Sequence, residues 1–239
     1  MIKKVVIAAA GQGTRMLHIT KNKSKHLIKV GKKPFLSYLL DNLIEAGFDE
    51  IILVVGYKEE KMREFVKEFN YKVNIVNQFE ILGPKEKIYG TACPLMCVRD
   101  ILKNEQFLFV CGDNFYSVRD LKEMRNDKKY NYIAAIRHAH PEKYGVLINE
   151  NGFLKEIVEK PKEKVGDLIN AGLYKFTPEV FDKLSEIKKS SRGEYEITDA
   201  ITLLAKEKKV KIKVLQDYWL DFGNPSDILM FSKFIKEKK

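Results

Sequence analysis

The 239-residue sequence predicts an α/β fold, a mostly parallel central sheet with helices on both faces. Three observations predict it. An apolar run at residues 5–9 stops at a glycine, as a buried strand does. Strand-like and helix-like patterns then alternate as far as residue 115. Beyond 115 short strands separated by turns take over, with helices again near the end.

The elements follow in order. Residues 5–9 form the first strand. Pro34 opens a helix, because it presets φ and lacks only an N–H that would be orphaned there. Phe35, Leu36, Leu39, Leu40, Leu43 and Ile44 recur at helical spacing, and Gly47 stops the run. Residues 51–55 read as a strand, 58–69 as an amphipathic helix and 73–76 as a third strand. A helix over 91–102 and a strand over 107–111 complete a Rossmann-like βαβαβ order. In the second half, 132–136, 145–148, 154–159 and 171–176 read as strands. Asn149-Glu150-Asn151-Gly152 marks a hairpin turn. Helices at 178–187 and 197–206, a strand at 211–215 and a helix from 225 close the chain. No repeat and no linker tract interrupts it, so one domain is expected over 1–239, its halves 1–115 and 116–239 sharing one sheet.

Composition narrows the function. Apolar residues make up 45% and charged residues 32%, which excludes disorder. No apolar run approaches the roughly 18 residues a membrane span needs. The stretch from Lys3 to Ala10 is short for a signal peptide and reads better as the first strand. The net charge is +10, yet only residues 1–33 are one-sided, with nine basic side chains and no acidic one. A small polyanionic ligand suits that local patch; neither nucleic acid nor a membrane surface is expected as a partner. Cys93, Cys97 and Cys111 show no Cys-x-x-Cys spacing, so neither a disulfide framework nor a zinc site is expected, and a reducing, cytoplasmic compartment fits. His138 and His140 lack further His or Cys at useful spacing and read as surface or hydrogen-bonding residues.

The loop after the first strand carries the strongest chemical signal. In Ala9-Ala10-Gly11-Gln12-Gly13-Thr14-Arg15 the glycines let the backbone turn sharply and bring its N–H groups near a phosphate. A dinucleotide fingerprint would need glycine where Met16 stands, and no Gly-Lys-Ser/Thr follows for a P-loop. What remains is a glycine turn ending in a guanidinium suited to bidentate phosphate contact.

That segment resembles the signature of the sugar-1-phosphate nucleotidylyltransferases. Ser24-Lys25-His26-Leu27-Ile28-Lys29-Val30 resembles the family's Pro-Lys-x-Leu-x-Pro-Val, with Ser24 and Lys29 in place of both prolines. Lys32-Lys33-Pro34, Tyr89-Gly90-Thr91-Ala92, Gly112-Asp113-Asn114, Tyr144-Gly145-Val146, Glu159-Lys160-Pro161 and Asn170-Ala171-Gly172-Leu173-Tyr174 match further motifs in family order. So do Glu194-Tyr195-Glu196-Ile197-Thr198-Asp199-Ala200 and Trp219-Leu220-Asp221-Phe222-Gly223-Asn224-Pro225. The similarity spans about residues 4–230.

The resemblance implies the nucleotide-diphospho-sugar transferase fold, in which 1–115 is the nucleotide-binding half and 116–239 carries an inserted sugar-binding β subregion. It implies nucleotide contacts at Ala9, Ala10, Gly11, Gly13, Thr14, Gly90 and Thr91, with Gln78 reading the base. It implies sugar contacts at Gly145, Glu159 and Asn170. Catalytic roles fall to Arg15 on the departing pyrophosphate, Lys25 on the α-phosphate and Lys160 on the attacking sugar phosphate. Asp113 and Asp221 would hold Mg²⁺. The implied partners are a nucleoside triphosphate and a sugar 1-phosphate; homo-oligomerisation is left open. No C-terminal β-helix domain is expected.

The chemistry agrees with these residue types. Two anions must meet, so charge neutralisation and in-line positioning carry catalysis. The phosphate monoester is already a nucleophile, and no Ser-His-Asp or Cys-His set is needed. Magnesium takes one or two carboxylates, with phosphates and water completing its shell. Each residue also has a plain structural reading: Asp113 as a helix cap, Asp221 as surface charge, Glu159 and Lys160 as a solvated pair, Trp219 as packing. Through Gly112-Asp113-Asn114 and the segment 194–200, the resemblance leans toward glucose 1-phosphate with dTTP or UTP. Guanylyl transfer to mannose 1-phosphate, cytidylyl transfer to a non-sugar phosphate such as phosphocholine, and a non-catalytic regulatory or nucleic-acid-binding protein are the alternatives.

Overall fold

The computed structural model describes residues 1–238 apart from 12, 21, 22, 127 and 128. Gln12 of the expected glycine loop and the side chains of Thr14, Leu17 and His18 lie outside the described residues. The first half runs β1 (Lys4–Ala9), β2 (Lys29–Val30), β3 (Lys33–Pro34), α1 (Phe35–Glu45), β4 (Glu50–Val55), α2 (Glu59–Glu68), β5 (Asn74–Asn77) and α3 (Gln78–Leu82). Then come α4 (Cys93–Cys97), α5 (Arg99–Leu102), β6 (Phe107–Cys111), β7 (Asn114–Tyr116), α6 (Val118–Met124) and β8 (Asn131–Arg137). The rest is β9 (Gly145–Glu150), β10 (Phe153–Glu159), β11 (Leu168–Phe176), α7 (Val180–Glu186), α8 (Ile197–Lys206), β12 (Val210–Val214), β13 (Trp219–Asp221) and α9 (Pro225–Glu237).

One nine-stranded sheet runs through both halves in the order β5-β4-β1-β6-β11-β8-β12-β10-β9. Strands β5, β4, β1 and β6 are parallel, as the alternating pattern predicts. Beyond them the expectation of a mostly parallel sheet fails, although β12 still runs parallel to β8. β11 runs antiparallel to both β6 and β8, and β9 and β10 form an antiparallel hairpin. For the hairpin the reason is loop length: a parallel pair needs a crossover of about a dozen residues or more, and the link β9–β10 is far too short for one. β9 also pairs back onto β11, with Ile169 opposite Val146, so the last five strands close into a mixed barrel.

Helices cover both faces, each through its own core. Val5, Ile7 and Ala9 of β1 pack with Leu36, Leu39, Leu40 and Leu43 of α1. Val6, pointing the other way, joins Leu95, Leu102, Phe181 and Ile201. A strand's period of two sends alternate side chains to opposite faces. A third cluster, Phe35, Phe115, Phe222 and Phe231, fixes α9 and the chain after β13 to α1.

The expected helix over 91–102 is broken. Ala92 N–H bonds the Tyr195 carbonyl at 2.9 Å, tying residues before α4 to another segment. Val98, at φ −103° and ψ 5°, then separates α4 from α5. α3 and α6 are additions to the sequence reading. α6 starts where Ser117 Oγ accepts the Asp120 N–H at 3.0 Å. The expected hairpin turn is present: Asn151 and Gly152 both have positive φ, as a two-residue turn of this hand requires.

Candidate active site

The glycine turn follows β1 directly. Gly13 sits at φ +64°, and a Cβ there would lie 3.1 Å from Lys25 Cβ and 3.2 Å from Thr20 Cγ2. The Gly13 carbonyl accepts from Met16 N–H at 2.9 Å and from the Thr20 hydroxyl at 3.0 Å. The turn is therefore pressed against the short 3₁₀ turn Lys25–Leu27. At Gly11 a Cβ would touch nothing, so space is left above the backbone. Ala9 and Ala10 are buried where β1 ends.

The two acidic side chains arrive from different strands. Gly112 N–H bonds the Ala8 carbonyl at 2.9 Å, and a Cβ on Gly112 would stand 2.7 Å from that oxygen. Only glycine allows so close an approach, which sets Asp113 beside the glycine turn. The β7–β13 ribbon pairs Asn114 with Asp221, and Phe222 N–H bonds the Asp113 carbonyl at 2.8 Å. Phe222 stacks on Phe35 with centroids 4.2 Å apart. Asp227 accepts from Gly223 N–H at 2.8 Å and Asn224 N–H at 2.7 Å, fixing the chain just after Asp221 and capping α9. The helix-cap reading of Asp113 falls, since Ser117 caps the next helix.

Charge in this corner is compensated unevenly. Burial raises the Asp113 carboxyl, but the Lys25 ammonium, ion-paired and hydrogen-bonded to it, holds it below the usual carboxylate range. Asp221 is pushed up to about 6 by burial, then by the charges of Asp113 and Asp227, against the pull of Lys25 and Arg15. Arg15 reaches the same spot: a Cβ on Gly223 would lie 3.4 Å from Arg15 Nη1 and 3.3 Å from Asp221 Oδ2. His26, wholly buried, is held neutral, its value brought down to about 3 by desolvation and then by Lys25.

Among the described residues no three His, Cys, Asp or Glu side chains gather as a ligand set. Two carboxylates do gather, Asp113 and Asp221, and the charge of Asp113 helps to raise Asp221. Beside them Asn114 Oδ1 is buried without a hydrogen-bond partner. A hard divalent cation fits such an all-oxygen, charge-strained pair.

The sugar-side residues assemble on the barrel. Gly145 and Glu159 face each other across β9–β10, and a Cβ on Gly145 would stand 3.1 Å from Glu159 Oε2. Asn170 lies next to them, its amide donating to Tyr174 OH at 2.8 Å and accepting from Gly172 N–H at 3.0 Å. Lys160 is exposed, with φ +44° immediately before Pro161. A lysine rarely takes that conformation, and strain of this kind gathers at functional positions.

The base-side residues divide. Gln78, 2% exposed, opens α3 with its Oε1 buried and unbonded. Its neighbour Phe79 packs near Gly56, which touches Ala10. Gly90 instead faces Tyr195: at φ +138°, a Cβ would meet the Tyr195 backbone at 2.2 Å. The Thr91 hydroxyl is committed to Glu196 at 3.0 Å and to Ile197 N–H at 2.9 Å. The side chain of Thr91 thus ties two segments together, leaving only its backbone for a ligand.

Sequence reasoning gave no site role to four neighbours, Arg192, Tyr144, His138 and Asp227. Arg192 bonds Glu196 at 2.8 Å and lies in the field of Glu159. Tyr144 and His138 form an edge-on cluster with Trp219, whose indole donates to the Ala171 carbonyl at 3.0 Å. Asp227 holds the Asp221 turn, and its signal was present as Asn224-Pro225-Ser226-Asp227, a helix-capping pattern.

Similarity to known proteins agrees with this geometry. The family model described as "Nucleotidyl transferase" matches residues 4–238. The chain is 37% identical over 236 residues to the "Bifunctional protein GlmU" of Methanocaldococcus jannaschii, covering 98% of this chain and 54% of that protein. It thus spans about half the length of several curated relatives it matches. It is 32% identical to the "UTP--glucose-1-phosphate uridylyltransferase AglF" of Haloferax volcanii, covering 94% of this chain and 93% of that one. A solved structure titled as UDP-glucose pyrophosphorylase complexed with UDP-glucose superposes over 100% of both chains with a TM-score of 0.85 at 25% identity. With a model match over nearly all its length and a relative covered end to end, this chain belongs to the nucleotidyl transferase family, among relatives that are sugar-1-phosphate nucleotidylyltransferases.

Proposed function

We propose that the chain transfers a nucleotidyl group from a nucleoside triphosphate to a sugar 1-phosphate, releasing pyrophosphate, with glucose 1-phosphate and UTP or dTTP as substrates. The observation that carries the reading is the meeting of Asp113 and Asp221 beside Lys25, Arg15 and a glycine turn. In the reaction a sugar-phosphate oxygen attacks the α-phosphorus and the bond to pyrophosphate breaks. Gly11 and Gly13 let backbone N–H groups approach the triphosphate. Lys25 neutralises charge growing on the α-phosphate, and Arg15 binds the departing pyrophosphate. Glu159 accepts hydrogen bonds from sugar hydroxyls, Asn170 and the Gly145 backbone complete the pocket, and Lys160 orients the sugar phosphate. Gln78 offers its unbonded amide oxygen to the base. Asp113 and Asp221 would hold Mg²⁺, which supplies Lewis-acid polarisation of the phosphate oxygens when bound. The AglF and UDP-glucose pyrophosphorylase likenesses support the glucosyl and uridylyl choices.

Pyrophosphate release tests this with UTP, dTTP, GTP and CTP, each against glucose 1-phosphate, mannose 1-phosphate and phosphocholine in Mg²⁺. Turnover restricted to glucose 1-phosphate with UTP or dTTP is expected. Turnover with GTP and mannose 1-phosphate alone moves the chain to the guanylyl alternative, and CTP with phosphocholine alone to the cytidylyl one. No turnover with any pair overturns the reading.

A further inference from the structure

Lys25 rides on a single 3₁₀ turn, held by Leu27 N–H to the Ser24 carbonyl at 3.0 Å and Ile28 N–H to the Lys25 carbonyl at 3.1 Å. So short a turn constrains a side chain weakly by itself. The residue before it, Ser24, sits at φ −62° and ψ 145°. That φ is the one a proline ring would impose, the ψ is extended, and serine is free to leave both. The Ser24 hydroxyl makes no helix-cap bond. It lies instead 2.7 Å from His26 Nδ1, with Ser24 0% and His26 1% exposed. A buried hydroxyl and a buried imidazole each need a partner, and here each is the other's. The other side of the ring rests on Gly112, where a Cβ would be 3.2 Å from His26 Nε2 and Cδ2. The bonded pair therefore spans Lys25 from both sides and seats it on the strand end that presents Asp113.

We propose that Ser24 and His26 form a side-chain clasp that positions Lys25 against Asp113, a hydrogen bond doing there what a proline ring would do through φ. The clasp's value to catalysis rests on the reading of Lys25 as the α-phosphate lysine. Ser24 and His26 are positioning residues; neither needs to touch substrate.

Acetic anhydride labelling of the intact chain, read lysine by lysine in a mass spectrometer, reports the position of Lys25 without any substrate. S24A is expected to raise Lys25 labelling about fivefold while Lys175, fully buried in β11, stays unchanged. H26A does the same. H26N, whose amide can occupy the place of Nδ1, stays within about twofold of the parent. S24P/H26L removes both polar groups at once and fixes φ by the ring, and also returns within about twofold. In pyrophosphate release from UTP or dTTP with glucose 1-phosphate, S24A lowers kcat about tenfold and leaves the triphosphate KM within about threefold. If S24A does not fold, the contrast between H26A and H26N carries the test. Unchanged Lys25 labelling in S24A and H26A overturns the clasp, as does a joint rise at Lys25 and Lys175. K25A separates the two ideas: wild-type turnover in K25A overturns the catalytic reading of Lys25, whereas lost turnover in K25A with unaltered labelling in S24A and H26A overturns the clasp alone.

Discussion

The phosphate side of the candidate site keeps Lys25, Asp113 and Asp221 within the protein and only Arg15 exposed, while the sugar side holds both Glu159 and Lys160 out in solvent. Lys25, 9% exposed, pairs with Asp113 beneath a glycine turn, and Asp221 is locked by Phe222 and Asp227. Glu159 and Lys160 stand exposed at the end of a hairpin. The contrast follows from what each side must do. Groups that answer concentrated negative charge work best in fixed positions where water screens little. Groups that sort one hydroxylated ring from another need access and exchange more easily with water. The first kind is bound up with the stability of the fold; the second is nearly independent of it.

F222A should break the buried side most. It removes a fully buried ring from its stack on Phe35 and frees the chain that carries Asp221. A loss of about 4 kcal/mol in urea-monitored stability is expected. A loss below about 1 kcal/mol would show that the third cluster does not hold this segment.

D221N should act in the opposite direction. The folded-state carboxyl titrates at about 6, above the unfolded value of about 3.9. The group's contribution is therefore fully present below pH ~4 and is lost as pH rises through 6. In chelator, wild type and D221N should have similar stability at pH 4, and D221N should lead by about 2 kcal/mol at pH 7.5. Turnover falls in the same variant. Equal pH profiles would remove the picture of an Asp221 carboxyl raised by burial and by the charge of Asp113.

K160A should move stability least, within about 0.5 kcal/mol, since the side chain is exposed. Its expected effect is a raised KM for the sugar phosphate with the triphosphate KM unchanged. A matching loss of triphosphate affinity would erase the division between the two sides.

Local patterns told most about local structure. The run ending at Gly11 is a central strand, Pro34 stands at the start of α1, and Asn151-Gly152 turns the hairpin. Strand direction beyond 115 was not legible, because apolar alternation looks the same in parallel and antiparallel strands and only loop length tells them apart. The break between α4 and α5 was hidden as well: the residues at 91–102 keep a helical pattern through Val98, and the Tyr195 carbonyl that holds Ala92 N–H at the start of the segment lies far along the chain. α6 was legible and passed over: Ser117 three residues before Asp120 is a capping signal. At the site, residue types could be read but their partners could not. Nothing near Lys25 in the sequence announces Asp113, and Thr91 looked like a ligand contact until its hydroxyl was found holding Glu196. Arg192 stayed unseen because a single arginine in a basic chain carries no signal of its own.

The pairing of Ile169 with Val146 has a consequence for solubility. Once β9 returns to β11 at this pair, every strand of the barrel has a neighbouring strand on each side among the described residues, and the open end of the main sheet is β5. That flank is only four residues long, and so short an edge strand offers little backbone to template stacking by foreign strands.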